Sequence, residues 1–152
     1  MIEVGAMAPD FELKADSGQT VRLGNYRGRR IILYFYPKDD TSGCTKEACG
    51  FRDHLPEFET RGAIVLGVSP DGVDSHERFR DKYELNFPLL SDPDHSVAAA
   101  YGAWGKKKMY GREYEGILRS TFVIAPDGRV EKVYAKVKPA GHAELLLEDL
   151  PS

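Results

Sequence analysis

Hydrophobic and polar residues alternate in two short segments near the start of the chain. The segments are 11–14 and 20–23, and residues 16–18 between them read Asp-Ser-Gly, which is typical of a turn. Alternation with a period of two places one side of a strand in the core and the other side in solvent. The pattern therefore predicts a β-hairpin.

Two later hydrophobic runs do not alternate. Residues 31–36 and 63–68 contain no charged side chain, which is the pattern of central strands that are covered on both faces. Helical periodicity follows the first run, from about Ser42 to Phe58. Pro56 is predicted to kink or break this helix, because proline lacks the backbone N–H that a helix interior needs.

The remaining predicted elements are shorter. Asp74 and Glu77 have the spacing of a capping box, which predicts the start of a second helix. The later elements are a strand at 87–90, a helix at 97–101 that ends at Gly102, two strands at 121–124 and 130–134 that form an antiparallel hairpin, and a last helix containing Ala143, Leu145, Leu146, Leu147 and Leu150.

This order of elements predicts an α/β fold. Parallel βαβ units followed by a hairpin and a terminal helix form a three-layer sandwich, with a central mixed sheet, flanking helices and the N-terminal β-hairpin as an extension. A chain of 152 residues suits a single domain, which we place at 1–152. Ligands of open α/β sheets bind at the carboxyl ends of the strands. The turn from Pro37 to Cys44 is predicted to lie at such an end.

Composition and charge narrow the range of functions. A formal net charge of -3, with 30% charged residues of both signs interspersed, provides no electropositive surface for nucleic acid. The sequence shows neither a signal peptide nor a membrane span of ~18 apolar residues. We therefore expect a cytoplasmic protein that acts on a small molecule, with no nucleic acid or membrane partner. In that reducing compartment, Cys44 and Cys49 are expected to be catalytic or metal-binding rather than a permanent disulfide.

Cys44 is predicted to lie in the first turn of a helix. With Thr41 or Ser42 as the N-cap, its sulfur meets unpaired backbone N–H groups and the positive end of the helix dipole, which favour an anion. The dipole contributes roughly 0.3–1 kcal/mol, whereas lowering the pKa of a thiol from ~8.5 to ~6 needs about 3.4 kcal/mol. A cation must therefore share the site. Because Lys38 in the turn is expected to be solvated, an arginine or lysine distant in sequence has to supply the charge.

Cys49 follows Cys44 by five positions in the same predicted helix. In an unbroken helix the Cα atoms of such residues lie ~8.6 Å apart, whereas a disulfide requires less than ~7 Å. The two cysteines can therefore bond only if the helix opens, which Gly50 makes less costly. A zinc site of Cys44, Cys49 and His54 is disfavoured, because these positions lie on different helical faces and a fourth ligand is missing.

The segment Pro37-x3-Thr41-x2-Cys44 resembles the peroxidatic signature of the peroxiredoxins, specifically of the bacterioferritin-comigratory-protein or Q-type subfamily. Cys49 stands where that subfamily keeps a resolving cysteine. Further similar segments are 8–11, 33–41, 51–53, 104–111 and 119–122. The resemblance implies a thioredoxin-like fold, and it identifies Arg119 with the active-site arginine of the family, which would be the missing cation.

The resemblance also implies a thiol-specific peroxidase that uses no metal or organic cofactor. In this mechanism the Cys44 thiolate attacks a hydroperoxide and becomes a sulfenic acid, while water or an alcohol leaves. Thr41 and backbone N–H groups hold the peroxide oxygens, Arg119 stabilises the developing charge, and Pro37 shields the site from water. Cys49 then forms a disulfide with Cys44, which thioredoxin or glutaredoxin reduces. The subfamily further implies a monomer.

One residue departs from the subfamily pattern, and several others are interpreted as structural. Ser42 stands where the subfamily usually has proline, so the opening equilibrium of the helix is expected to differ. We predict that His76, His95 and His142 lie on the surface. Residues 106–108 read Lys-Lys-Lys, and we predict a solvated loop there.

Two alternatives to a peroxidase stay open on sequence grounds. A thioredoxin-like disulfide oxidoreductase would normally carry Cys-x-x-Cys at the helix start, and the observed Cys-x4-Cys has a different reach. A peroxide sensor or noncatalytic binding module of the same fold would react with peroxide only at the rate of an ordinary thiol. The rate constant with peroxide, measured by rapid mixing, distinguishes these classes.

Overall fold

The computed structural model describes residues 1–151, so Ser152, the last residue of the predicted domain, lies outside the described range. The helices within this range are α1 (Ser42–Thr60), α2 (Val73–Tyr83), α3 (Ser96–Tyr101) and α4 (His142–Asp149). The strands in the same range are β1 (Glu12–Ala15), β2 (Thr20–Arg22), β3 (Arg30–Phe35), β4 (Ala63–Ser69), β5 (Leu89–Ser91), β6 (Trp104–Met109), β7 (Arg112–Ile117), β8 (Ser120–Ile124) and β9 (Val130–Tyr134). None of these helices combines the length and hydrophobicity needed to cross a membrane.

Seven strands form one mixed sheet in the order β2-β1-β5-β4-β3-β8-β9. The three central strands β3, β4 and β5 run parallel, and β8 pairs antiparallel with β3. The N-terminal hairpin joins the sheet through an antiparallel pairing of β1 with β5, so it extends the sheet at one edge. The predicted thioredoxin-like α/β architecture with a mixed sheet and an N-terminal hairpin is confirmed.

The sheet separates two hydrophobic cores. Ile32 and Tyr34 of β3 lie in a core that also contains buried side chains of α1, α2 and α4. Leu33 and Phe35, which point to the opposite face, lie in a core that includes side chains of α3. A strand that is covered on both faces needs apolar residues at every position. This requirement explains the uninterrupted hydrophobic run in the sequence and the three layers of the fold.

Of the two outcomes predicted at Pro56, the break is wrong, because α1 continues through this residue to Thr60, and the kink stays a prediction. Proline lacks the N–H that would donate to the carbonyl oxygen of Arg52, four residues earlier. In the structure, the Asn86 side chain donates to that oxygen at 3.2 Å. A residue outside the helix therefore replaces the lost hydrogen bond, which lowers the cost of proline at this position.

The predicted capping box at Asp74 and Glu77 is also wrong. The helix α2 begins at Val73, its N-cap is Gly72, and no side chain caps the first turn. Asp74 lies within that turn, where its negative charge interacts favourably with the helix dipole. The helix thus starts about where the sequence indicated, but by a different local structure.

A second hairpin replaces the solvated loop that was predicted around residues 106–108. Strands β6 and β7 pair antiparallel over Trp104–Met109 and Arg112–Ile117. The turn between them, Tyr110 and Gly111, has φ values of 52° and 78°, as a two-residue hairpin turn of the favoured type requires. Tyrosine at the first turn position carried no strong sequence signal for such a turn, which explains why the hairpin was missed.

Two of the histidines that were predicted to be on the surface are buried. His76 is 0% exposed and His142 is 4% exposed. Both rings are hydrogen-bonded, and that of His142 contacts the Thr121 hydroxyl at 2.8 Å. The third, His95, is half-buried and stacks on Trp104 with ring centroids 3.6 Å apart. Histidine has an apolar ring with two polar atoms, so tertiary partners decide whether it can be buried.

Candidate active site

The turn that precedes α1 lies at the carboxyl end of β3. Pro37 is half-buried there, and Thr41 is the N-cap of α1 with extended φ and ψ angles of -95° and 158°. Thr41 does not cap the helix with its side chain; its hydroxyl donates instead to the carbonyl oxygen of Lys38 at 2.9 Å. Cys44 is the third residue of the helix, so its sulfur lies close to the unpaired N–H groups of the first turn.

Arg119 provides the cation that the sequence analysis required. It directly precedes β8, whose first residue Ser120 pairs with Phe35 at the end of β3. This register brings the guanidinium to the helix start, where Nη2 lies 3.1 Å from the buried Cys44 sulfur. A charged donor at this distance stabilises a thiolate.

Gly43 allows the close approach of Arg119. A Cβ atom at this position would lie 3.3 Å from Nη2 of Arg119 and 3.2 Å from Cγ of Pro139. Both separations are shorter than ordinary van der Waals contact, so any larger residue would push the guanidinium or the Pro139 loop away from the helix. A glycine immediately before Cys44 therefore helps to define the Arg119–Cys44 distance.

Glu47 is a site residue that the sequence analysis missed. It lies one helical turn after Cys44 and is 1% exposed. Its Oε1 accepts a hydrogen bond from Nη1 of Arg119 at 2.7 Å, while Oε2 has no hydrogen-bond partner among residues 1–151. The i, i+3 spacing from Cys44 was a usable signal, because such residues share a helical face. Arg119 thus bridges a carboxylate and a thiol on one side of α1.

The electrostatics of the site follow from burial around one guanidinium. Burial raises the pKa of Glu47 to about 7, although the charge of Arg119 opposes this shift. Burial lowers the pKa of Arg119, but the charges of Glu47 and Cys44 outweigh it, so the net shift is upward and the cation is retained. Burial and the nearby Arg119 lower the pKa of His142 to about 4, which leaves this ring neutral at pH 7.

A second cation approaches the site from the hairpin β6–β7. Lys107 is half-buried, and burial together with the charge of Arg119 lowers its pKa, while Cys44 acts in the opposite direction. Lys38, the cation within the turn, is exposed, in agreement with the sequence-based expectation. The cation that contacts the sulfur, Arg119, is thus distant from Cys44 in sequence.

Cys49 does not contact Cys44 in this structure. Both cysteines are free thiols within the uninterrupted helix α1; Cys44 is buried and Cys49 is half-buried. Because residues five apart in a helix have Cα atoms ~8.6 Å apart, a disulfide between them requires local unwinding. The imidazole of His54, the third member of the disfavoured zinc site, contacts Glu57 at 3.1 Å and Glu144 at 2.9 Å.

The fold and the geometry around Cys44 define a class of protein. A thioredoxin-like sandwich that places a cysteine in the first turn of a helix, with an arginine 3.1 Å from its sulfur, is suited to thiol-based redox catalysis. The profile of the AhpC/TSA family matches residues 4–133. The chain therefore belongs to the AhpC/TSA family, and it is a peroxiredoxin of the Bcp or Q type, an enzyme with thiol peroxidase activity.

Similar proteins match nearly the whole chain. Peroxiredoxin Bcp of Bacillus subtilis is 50% identical over 149 residues, which cover 98% of this chain and 95% of that protein. Peroxiredoxin Bcp of Escherichia coli is 42% identical over 146 residues, which cover 96% and 94%. Among solved structures, PrxQ of Xylella fastidiosa superposes with a TM-score of 0.92 at 38% identity, covering 97% of this chain and 94% of that chain.

A further solved structure bears on the activity of the family. The bacterioferritin comigratory protein of Xanthomonas campestris has a TM-score of 0.89 and 42% identity, covering 97% of this chain and 94% of that chain. That protein was studied for its alkyl peroxide reduction activity in trapped intermediate and ligand complexes. The resemblance noted in the sequence is thus confirmed at the level of family, fold and enzymatic class.

Proposed function

We propose that this enzyme reduces hydrogen peroxide and organic hydroperoxides with the Cys44 sulfur as the nucleophile. The observation that carries the proposal is the 3.1 Å contact between Nη2 of Arg119 and the buried Cys44 sulfur. The thiolate attacks the terminal peroxide oxygen, an S–O bond forms and the O–O bond breaks. Sulfur is oxidised by two electrons to the sulfenic acid, and the other oxygen takes up a proton and leaves as water or an alcohol.

Each residue near the sulfur has a distinct proposed part in this step. The Thr41 hydroxyl donates its proton to the Lys38 carbonyl oxygen. The hydroxyl oxygen of Thr41 is therefore available to accept a hydrogen bond from the peroxide. The N–H groups of the first helical turn and the guanidinium of Arg119 stabilise the charge that develops on the leaving oxygen. Pro37, half-buried beside them, limits the access of water.

Glu47 is proposed to hold Arg119 in position. Its carboxylate accepts the Nη1 hydrogen bond at 2.7 Å, while Nη2 is directed at sulfur. A forked guanidinium can satisfy both contacts at once, which the single ammonium group of a lysine cannot do in the same geometry. Two fixed contacts restrict the rotation of the guanidinium and keep one donor in the path of the reacting oxygens.

Cys49 is proposed as the resolving thiol. Its thiolate attacks the sulfenic acid of Cys44, an S–S bond forms, and the hydroxyl leaves as water after taking up a proton. The first turns of α1 unwind in this step, because the intact helix keeps the two sulfurs apart. A thioredoxin or glutaredoxin then reduces the disulfide by two electrons and restores both thiols.

The cellular setting is proposed to match this cycle. Two cysteines that cycle between thiol and disulfide are suited to a reducing compartment, which supports action in the cytoplasm. We propose that residues 1–152 form one domain, since the seven-stranded sheet includes both the N-terminal hairpin and β9 near the C-terminus. We also propose a monomer, on the basis of the resemblance to the Q-type subfamily.

Intact-mass analysis after one equivalent of hydrogen peroxide tests this function. We expect the wild type to lose two hydrogens, through the disulfide, and Cys49→Ser to gain one oxygen, through the sulfenic acid. Cys44→Ser is the matched control, and it should keep its mass under the same conditions. If the wild type and Cys49→Ser both retain all their thiols unchanged, the proposed function is wrong.

A further inference from the structure

The turn that carries Thr41 is held from outside by α2. We call residues 37–41 the active-site turn. Within it, Asp39 is 8% exposed. Its carboxylate contacts one residue that follows β3 and two residues of α2. Tyr36 donates to Oδ1 at 2.6 Å, the Ser75 hydroxyl donates to Oδ2 at 2.8 Å, and Nδ1 of His76 lies 2.6 Å from Oδ2. Ser75 and His76 both belong to α2.

Both ring nitrogens of His76 make hydrogen bonds. Nε2 of His76 lies 2.9 Å from the carbonyl oxygen of Leu90, which can only accept, so Nε2 carries a proton. The 2.6 Å contact at Nδ1 needs one further proton. The Asp39 carboxylate also accepts from Tyr36 and Ser75, so the Nδ1 contact is one of three hydrogen bonds that hold this side chain. His76, which is 0% exposed, is thus hydrogen-bonded at both ring nitrogens, and its Nδ1 contact reaches the active-site turn.

The backbone of the same turn is held as well. The N–H of Asp39 donates to Oδ2 of Asp71 at 2.8 Å, an oxygen that also accepts from the Ser69 hydroxyl at 2.7 Å. Asp40 has a left-handed φ of 57°, an uncommon conformation for a residue other than glycine. Its carboxylate accepts from Lys82 at 2.7 Å and from Tyr83 at 2.8 Å, at the end of α2. External contacts thus stabilise an unfavourable local conformation.

The carboxylates and the imidazole of this cluster could also be considered as metal ligands. One ligand atom each from Asp39, Asp71 and His76 lies within 4.8 Å of the others. However, the Asp39 carboxylate accepts three hydrogen bonds, and both nitrogens of His76 are engaged. The described contacts favour a hydrogen-bonded support for the active-site turn.

We propose that His76 is a positioning residue for peroxide reduction. Its Nδ1 hydrogen bond to Asp39 fixes the active-site turn, and thereby fixes the Thr41 hydroxyl relative to the Cys44 sulfur. Arg119 reaches the sulfur from β8, by a route that does not include this turn. His76 therefore controls the placement of the peroxide and leaves the stabilisation of the thiolate unchanged. This inference rests on the function proposed above.

Two amide substitutions separate the two nitrogens of His76. In His76→Asn the side-chain amide takes the place of Nδ1 and can still donate to Asp39, whereas in His76→Gln it takes the place of Nε2 and donates to Leu90 instead. A displacement of reacting groups by ~1 Å can reduce a rate by about 100-fold. We expect the rate constant with hydrogen peroxide to fall by about ten- to 100-fold in His76→Gln. His76→Asn should stay within about threefold of the wild type, because it retains the hydrogen bond to Asp39, whereas losing such a bond costs more than a factor of about three.

A second reagent distinguishes positioning from general damage. Iodoacetamide alkylates the Cys44 thiolate without using the peroxide contacts of the active-site turn, so its rate should be the same in the wild type and both variants. An equal loss of peroxide reactivity in both variants, or no loss in His76→Gln, would refute the role of the Nδ1 bond. A parallel loss of alkylation would refute it too, because Cys44 itself would then be disturbed.

A milder variant guards against misfolding. Ser75→Ala removes the hydroxyl that donates to Oδ2 of Asp39, and it leaves the rings of Tyr36 and His76 in place. We expect the peroxide rate constant to fall by about two- to fivefold, with unchanged alkylation, because a single neutral hydrogen bond makes a modest net contribution. A wild-type rate in this variant contradicts the inference. A wild-type protein that does not react with peroxide at all would instead overturn the proposed function, so the two failures are distinguishable.

Discussion

The first half of α1 (residues 42–50) and the second half (residues 51–60) are stabilised in different ways. The first half begins without a side-chain cap, contains Gly43 and Gly50, and has its strongest polar contacts with Arg119. The second half buries Phe51 and Phe58 completely. Phe51 also stacks on Tyr34 of β3 with ring centroids 4.7 Å apart. The first half also buries Cys44 and Ala48 in this core, but with small side chains, so it has less hydrophobic packing than the second half.

Polar contacts reinforce this difference between the halves. Nη1 of Arg52 donates to the carbonyl oxygen of Tyr83 at 2.7 Å, and Asn86 donates to the carbonyl oxygen of Arg52 at 3.2 Å. His54 bonds to Glu144 in α4 at 2.9 Å. Hydrogen bonds therefore connect the second half to the end of α2, to the residues that follow α2, and to α4. The first half has fewer such bonds to other elements.

This comparison supports the first half as the place where the proposed opening of the helix occurs. Segments with few buried contacts unfold locally at a lower free energy than the packed core. Cys44 and Cys49 both lie in the first half, so the unwinding that we propose for disulfide formation ends before the buried ring of Phe51. In the proposed mechanism, a single helix therefore provides both the site for the peroxide and the segment that rearranges for disulfide formation.

The largest effect on stability is expected from the second half. Phe51→Ala removes a fully buried ring and should lower the free energy of unfolding by about 3–5 kcal/mol. Cys49→Ser, at a half-buried position in the first half, should lower the free energy of unfolding by about 1 kcal/mol or less. Urea denaturation of both variants measures the difference. Equal losses would show that the two halves are not held differently.

A large effect on reactivity is expected from the contact that stabilises the first half. Arg119→Met removes the donor to sulfur and should reduce the peroxide rate constant by about 100- to 1,000-fold, as for other donors to a developing oxyanion. Arg119→Lys retains the charge but not the fork, and should give an intermediate rate. Rapid-mixing kinetics provide the measurement. Unlike His76→Gln, both variants should also slow alkylation by iodoacetamide; an unchanged alkylation rate would contradict the role of Arg119.

Glu47 makes the stability of the first half dependent on pH. Its pKa is about 7 in the folded protein and 4.5 ordinarily, so the folded state binds a proton more tightly than the unfolded state. The contribution to stability is full below pH 4.5 and is lost as the pH rises to about 7, by roughly 3 kcal/mol. Glu47→Gln should flatten this slope of the free energy of unfolding, measured by urea denaturation at several pH values.

The matched control for this pH dependence is Glu59→Gln, which changes an exposed carboxylate in the second half of the helix. It should retain the slope of the wild type. If Glu47→Gln and Glu59→Gln behave alike, the buried carboxylate does not cause the dependence.

The smallest effect is expected from Gly50→Ala, which stiffens the segment that unwinds. A Cβ atom at this position would lie 3.6 Å from Cβ of Ala143, an ordinary contact. Alanine favours the helix by roughly 0.5–1 kcal/mol over glycine, so disulfide formation after peroxide oxidation should slow by about two- to fivefold. Quenched mass analysis follows the disulfide. The rate of the preceding peroxide step should not change; a faster disulfide step would contradict unwinding near Gly50.

Local patterns predicted most of the fold. The apolar runs identified β3 and β4, and the predicted strands at 121–124 and 130–134 form the β8–β9 hairpin. The failures have a shared cause. The helix continues through Pro56 because Asn86 replaces a hydrogen bond, and His76 is buried because Asp39 and Leu90 provide partners. Each of these partners is distant in sequence, so no local pattern reveals it.

The same distinction applies to the candidate site. The sequence by itself determined that Cys44 lies in the first turn of a helix and that Cys49 cannot bond to it while the helix is intact. It also indicated that a cation distant in sequence is needed to stabilise a Cys44 thiolate. Only the tertiary structure decided how Arg119 reaches both the Cys44 sulfur and the Glu47 carboxylate, through the pairing of Phe35 with Ser120. Periodicity is a property of neighbouring residues, whereas contacts between distant side chains depend on strand register and on the packing of helices against the sheet.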